Sequence, residues 1–211
     1  MIKRTAPQTL INSVLSWFPS LPILSGAIVA GGFIRAHYAG ERPNDMDLYF
    51  RSERDFEEAL SHLKESNEWE VVAETDRAVT LRNDGKIIQL IRFTYGEPEE
   101  LISEFDFTIC AAALEIMDDI ETPPEGVEYL HDRFFEDLAG RVLTYTGSRM
   151  PLASLKRVIK YVKRGYHICD ENIIKIAESI AQAVNFDDQE SVATHIDGMD
   201  PEGGRRVRVI D

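Results

Sequence analysis

Apolar residues near the start of the chain return at helical steps. Leu10, Ile11, Val14, Leu15 and Phe18 predict an amphipathic helix over 9–18, with 19–26 as the loop that follows. The unbroken apolar run Ala27-Ile28-Val29-Ala30, stopped by Gly31-Gly32, reads as a buried strand running into a tight turn. A short helix over 33–38 and a strand over 46–50 come next. Phe56, Leu60 and Leu63 give 53–66 a single apolar face, and Ser52 stands where an N-cap belongs. Segments 69–74, 78–82 and 86–93 read as strands, and Asn83-Asp84-Gly85 is the hairpin signal between the last two.

Downstream, 97–103 reads as a short acidic helix. Alternation over 105–111 predicts a strand with Asp106, Thr108 and Cys110 on one face and the apolar residues on the other. Segment 131–139 is expected to be a helix and 141–145 a short strand. Two helices are expected over 151–184, split near Gly165-Tyr166, with Asp170 capping the second. In the first of them, Leu152, Leu155, Ile159, Val162 and Tyr166 are the expected buried stripe, and Lys156, Lys160 and Lys163 the stripe beside it. The pattern weakens after Asn185. The fold class expected is therefore α+β, a mixed sheet flanked by helices.

Composition adds limits. A chain of 211 residues, 44% hydrophobic and 28% charged, is that of an ordinary globular protein able to bury a full core. No apolar run reaches the ~18 residues of a membrane span. Polar residues from Gln8 to Ser16, together with Pro19, interrupt the start too often for a signal peptide. Cys110 and Cys169 make no metal spacing, nor do the five histidines, so a reduced, cytoplasmic protein is expected. The net charge of −14 argues against a generic nucleic-acid coat. RNA contact, if there is any, must be local, and 149–164 carries six cations with no acid. That basic helix is also explained by a solvated face balancing acidic neighbours.

The chemistry sits earlier in the chain. Asp45 and Asp47 lie at the entrance of one predicted strand, two residues apart and so on one face. Adjacent carboxylates repel unless a cation lies between them, and hard oxygen ligands suit magnesium. Alone, such a pair is as well explained by a turn cap and an exposed edge residue. The glycine pair upstream, whose N–H groups at a helix start suit an anion, shifts the balance toward a phosphate-and-metal site. Asp106 is costly to bury without a metal, a hydroxyl or a backbone N–H as partner.

Four blocks in order resemble the poly(A) polymerase and CCA-adding tRNA nucleotidyltransferase family, within the polymerase-β-like nucleotidyltransferases. They are Gly31-Gly32-Phe33-Ile34-Arg35 with Asp45-Met46-Asp47-Leu48; Phe105-Asp106-Phe107-Thr108-Ile109; Asp137-Leu138-Ala139-Gly140; and Pro151-Leu152 through Lys156 to Gly165-Tyr166. The chain departs from the family at Ala36, Glu104, Phe105, Cys110 and Ala153. The resemblance implies a nucleotidyltransferase head over 1–148, a helical neck over 149–185 and a loosely ordered tail over 186–211. It implies transfer of a nucleotide from an NTP to a hydroxyl, with an RNA or tRNA 3′ end as acceptor. A toxin-like enzyme modifying a tRNA, a protein or a small molecule, and an inactive nucleotide- or protein-binding module, are the alternatives. In the enzyme reading, Asp45, Asp47 and Asp106 hold two Mg²⁺ ions. Gly31, Gly32, Arg35, Lys156 and Lys160 hold the nucleotide, and Asp106 has a second reading as a ribose contact.

Overall fold

The computed structural model describes residues 1–18, 26–117 and 124–196. Among them are eight strands in one mixed sheet and eight helices. The strands are β1 (Ile2–Thr5), β2 (Ala27–Ala30), β3 (Met46–Phe50), β4 (Glu70–Glu74), β5 (Ala78–Asn83), β6 (Lys86–Tyr95), β7 (Ala112–Ile116) and β8 (Gly126–Leu130). Their order is β1-β8-β7-β2-β3-β6-β5-β4, and only β3 and β6 pair in parallel. The α+β class with a mixed sheet is thus as expected.

Local chemistry explains most boundaries. Ser52 accepts a hydrogen bond from the Asp55 N–H and so starts α3 (Glu53–Glu65). Asp84 and Gly85 both have positive φ, 44° and 76°, which matches the right-handed twist of the β5–β6 hairpin. Gly40, left-handed at φ 66°, ends α2 (Gly32–Ala39). Helix α4 (Pro98–Ser103) begins with proline at its first position and a capping box between Glu97 and Glu100.

One face of the sheet carries Val29, Leu48, Phe50, Leu90 and Leu114. It packs against α1 (Gln8–Leu15) through Leu10 and Val14, α3 through Phe56 and Leu63, and α5 (Phe134–Gly140) through Phe134. The other face carries Ile28, Ala30, Tyr49 and Ile91, and α4 covers part of it with Leu101 and Ile102. A third cluster joins Phe107, Ile109, Leu143 and Tyr145 to α6 (Pro151–Lys163) and α7 (Asp170–Ala183) through Val158, Tyr161 and Ile176. It fixes the helices beside the open part of the second face.

Several expectations are corrected. Segment 105–111 is a bend and turn, closed by Cys110 and Ala111 N–H bonds to the Phe107 carbonyl, and the strand begins only at Ala112. Segment 141–145 makes isolated bridges, Val142 with His167 and Tyr145 with Phe107. Cys169, not Asp170, is the N-cap residue of α7, and Asp170 is its first helical residue. Of the buried stripe expected on α6, Tyr166, just past the helix end, is buried and Leu152 half-buried, but Leu155, Ile159 and Val162 are exposed, while Ala153, Ser154, Val158 and Tyr161 are buried. Within the expected tail, Gln189–Ile196 form α8, whose last carbonyl accepts from Lys156 Nζ at 3.1 Å. Segment 19–25 of the first loop and segment 197–211, with its Gly203 to Arg208 run, lie outside the described residues. No helix among the described residues is long and apolar enough to cross a membrane.

Candidate functional site

Strand β2 ends at Ala30, which pairs with Asp47 on β3, and Asp47 pairs on its other side with Gln89 of β6. The aspartate therefore sits mid-sheet, directly beside the turn that follows β2. That turn requires glycine at position 31. Its φ of 80° is in the region L side chains rarely adopt, and a Cβ there would lie 2.9 Å from the Phe105 ring and 3.9 Å from Asp47 Oδ2. The Gly31 N–H is bonded to the Ala112 carbonyl at 2.9 Å, so it serves the sheet. Gly32, the first residue of α2, is the glycine that lines the cleft.

The cleft opens on the second face of the sheet. It has about 1090 Å³ of open space, solvent at its mouth included. Asp45 and Asp47 line it from β3 and its approach, and Arg157, Lys160 and Tyr161 line it from α6. Asp47 as a residue is half-buried, but its Oδ1 is sealed from solvent and has no hydrogen-bond partner. Burial, and then the nearby Asp45 charge, push the Asp47 carboxyl up to about 8, against the pull of Arg157 and Lys160. A buried carboxylate oxygen with no donor, next to a second carboxylate, is a donor set that fits an oxygen-seeking divalent cation.

Asp106 lines the same cleft as Asp45 and Asp47, but it is 3% exposed and its Oδ2 accepts from Arg157 Nη1 at 2.6 Å. Among the described residues, no three His, Cys, Asp or Glu side chains converge on a point that could hold a metal. Of the three carboxylates expected at the metal, Asp106 is thus the one tied to a cation from α6. The other polar residues of the 105–111 turn go separate ways: Thr108 Oγ1 donates to Asp137 Oδ2 at 2.6 Å, and Cys110 Sγ lies 2.8 Å from the Tyr161 hydroxyl.

Of the cations expected at the nucleotide, Lys160 lines the cleft. Arg35 is buried away from it, donating to Glu41 at 2.8 Å and to the Tyr166 hydroxyl at 3.3 Å, under the Tyr161 ring. Lys156 reaches the end of α8 instead. The residue the periodicity passed over is Arg157. Its signal was present in the small residues Ala153 and Ser154, which let α6 approach closely. Ser154, Val158 and Tyr161 at steps of four and three mark the inward face, with Arg157 and Lys160 at its margin. The cleft's remaining wall, from Phe93, Leu101, Phe105 and Met150, was likewise unforeseen.

Comparison with known proteins agrees with this frame. The sequence pattern described as "Gad2: Gabija anti-defense 2 family protein" matches residues 8–141. The protein "Gabija anti-defense 2" of Bacillus phage SPbetaL7 is 32% identical over 155 residues, covering 71% of this chain and 36% of its own length. Among solved structures, the Thermotoga maritima CCA-adding enzyme complexed with tRNA superposes with a TM-score of 0.61 at 17% identity, over 95% of this chain and 52% of that one. A CCA-adding enzyme with ATP gives 0.64 at 14% identity, over 92% and 50%. At such identities the likeness is one of fold: a nucleotidyltransferase-like head. The chain spans about a third of its curated relative and about half of these enzymes.

Proposed function

The chain belongs to the Gabija anti-defense 2 family, not to the poly(A) polymerases, and from that premise we propose that its cleft is a metal-dependent nucleotidyltransferase site. The observation that carries the reading is the partnerless, sealed Oδ1 of Asp47 beside Asp45, facing two cations across the cleft. Asp45 and Asp47 would hold magnesium, which when bound supplies positive charge to the phosphoryl oxygens and to the attacking hydroxyl. Arg157 and Lys160 stand on the opposite wall, where they offset the charge of a triphosphate and orient it. Gly31 lets the Phe105 ring close over the turn, keeping Asp47 from bulk water. Arg35 acts at a distance by fixing α2 to Glu41 and Tyr166.

The reaction we infer is transfer of a nucleotide from an NTP to a hydroxyl acceptor, with an RNA 3′ end as the first candidate. Support for RNA comes from the fold neighbours, one of them solved with tRNA. The curated relative's name makes it an anti-defence protein against Gabija; on our reading, this chain serves the same end through its cleft. A second reading, a module that binds nucleotide without turning it over, draws on the Arg157–Asp106 ion pair, which engages the third carboxylate of the cleft. Incubation with Mg²⁺ and each radiolabelled NTP, with and without bulk RNA and protein, separates them. Label in RNA or protein that is lost in Asp45→Asn supports transfer. No label, with a Mg²⁺-dependent rise in melting temperature on adding NTP, leaves the binding module.

A further inference from the structure

The cleft has two chemically different ends. Toward α6 it is charged, with Asp45, Asp47, Arg157 and Lys160. Toward β6 and α4, where Thr94, Glu104, Ser148 and Arg149 also line it, its apolar wall is Phe93, Leu101, Phe105 and Met150. These four come from four separate segments: the end of β6, the inner face of α4, the turn after it and the residue before α6. Three of them are held in place. Phe105 packs against the Tyr49 ring with centroids 5.8 Å apart, and Met150 Sδ lies 2.6 Å from Arg77 Nη1. Leu101 is buried in the core of this face.

Phe105 and Met150 are half-buried, and Phe93 is the one of the four that is exposed. It is 36% exposed, on the strand that carries Gln89 opposite Asp47 and Ile91 in the core of the same face. The β3–β6 register shifts between the Leu48–Leu90 and Phe50–Tyr95 pairs, and in that irregular stretch Phe93 and Thr94 both line the cleft. An aromatic ring left partly open at the edge of a polar cleft is a surface on which a planar group gains by stacking.

We propose that this apolar lobe is a stacking subsite for a nucleobase, with Phe93 as its platform. The proposal rests on the nucleotidyltransferase reading, since it needs phosphate at the charged end of the same cleft. Those four side chains offer a thioether and hydrocarbon, whereas the polar neighbours Thr94, Glu104, Ser148 and Arg149 line the same cleft, Arg149 paired with Glu104. Stacking is tolerant of base identity because every base has a π-face. The Phe93 ring therefore grips a base without choosing it, and any preference among the four NTPs comes from the polar groups beside it. The base can belong to the donor nucleotide or to the terminal residue of an acceptor strand.

The test measures binding to the full chain by calorimetry with excess Mg²⁺, using inorganic tripolyphosphate, each of the four NTPs, and a short oligoadenylate with tripolyphosphate present. The wild-type protein, Phe93→Ala and Phe93→Trp are compared. With the donor base in the lobe, every NTP binds roughly tenfold tighter than tripolyphosphate, and Phe93→Ala removes that margin while leaving tripolyphosphate unchanged. Phe93→Trp keeps it. With the acceptor base there, Phe93→Ala leaves the NTPs unchanged and costs the oligoadenylate a similar factor. If Phe93→Ala changes neither, the stacking subsite is wrong while the nucleotidyltransferase reading stands. If tripolyphosphate and all NTPs fail to bind, that reading fails and the subsite with it.

Discussion

Arg157 Nη1 lies 2.6 Å from Asp106 Oδ2, an ion pair that joins α6 to the turn before β7 across 51 residues of chain. It fastens the helical unit to the sheet at the wall of the cleft, and it fixes where the arginine's charge stands. Asp106 is almost wholly buried, whereas Arg157 keeps about a quarter of its side chain in solvent. Removing the arginine strands a buried carboxylate, which in other buried pairs costs about 3–5 kcal/mol. Arg157→Ala should fall at the low end of that range because water can reach the vacated space. The double variant Asp106→Asn with Arg157→Ala should recover a good part of the loss, and urea denaturation of all four proteins of the cycle measures it. Additive losses would show that the pair is not a unit.

Gly31 and Gly32 stand side by side yet should answer differently to a methyl group. Alanine at 31 meets both a φ of 80° and a ring carbon at 2.9 Å, so Gly31→Ala should cost about 1–3 kcal/mol from backbone strain alone. Shortening Phe105 as well would relieve the clash but not the strain. At Gly32 a Cβ meets nothing within 4 Å, and the residue is helical. Gly32→Ala should therefore leave the melting temperature nearly unchanged, and any loss of nucleotide binding it causes would come from the cleft itself. Equal destabilisation by the two substitutions would count against this division of labour.

Where neighbours in sequence decide structure, the chain was legible. The strand at Met46–Phe50, the Ser52 cap and the Asp84-Gly85 hairpin all follow from residues within a turn of one another. So did the placing of Asp45 and Asp47 together at one cleft. What could not be read depends on distant partners. Asp106, Thr108 and Cys110 alternate like a strand, yet each is satisfied by a different residue, Arg157, Asp137 and Tyr161, which lets the backbone turn instead. Strands β1, β7 and β8 were missed: β7 is almost continuously apolar with the segment before it, and β1 is a short edge strand with mostly exposed residues. On α6 two apolar stripes competed, and the larger residues lost because the inward face needed small ones.

That reversal on α6 is itself testable. Ile159 is 54% exposed, although hydropathy alone would bury it. Ile159→Lys should change stability by no more than about 0.5 kcal/mol, as surface changes do. Val158, one residue earlier, is buried against the Phe107 cluster, and Val158→Lys should unfold this helix from the sheet. Thermal melts of the two variants give opposite results if the inward face is as described, and matched losses would contradict it.

Asp137 gives the protein a predictable acid limb. The carboxylate is buried, accepting from Thr108 Oγ1 at 2.6 Å and from Arg133 Nη2 at 2.7 Å. Burial alone would raise its pKa, but the Arg133 and Thr108 hydrogen bonds outweigh it and hold the carboxyl below its ordinary value. A depressed folded-state pKa contributes stability that is fully present above the unfolded value, about 3.9, and is lost as pH falls through the folded one. Asp137→Asn should lower the melting temperature at neutral pH and flatten its decline below about pH 4. Melting curves between pH 6 and 3 show whether the two proteins converge in acid; parallel curves would remove Asp137 from the account.

Asp47 has the opposite sign. Its carboxyl is pushed up to about 8 by burial and by Asp45, and its Oδ1 finds no donor. In metal-free protein the native state therefore keeps a proton that the unfolded chain gives up from about pH 4 onward, so stability falls as pH rises and levels off once the folded carboxyl has ionised. Asparagine at this position fills the same space without the charge. In EDTA, Asp47→Asn should melt above wild type by a margin that grows from pH 4 and becomes constant above pH 8. Magnesium should reverse the order: it binds the wild-type carboxylates and raises their melting temperature, while Asp47→Asn gains little. A residue that is merely strained would show the first effect without the second. A surface carboxylate would show neither, so the two melts together decide whether the aspartate is buried for a cation's sake.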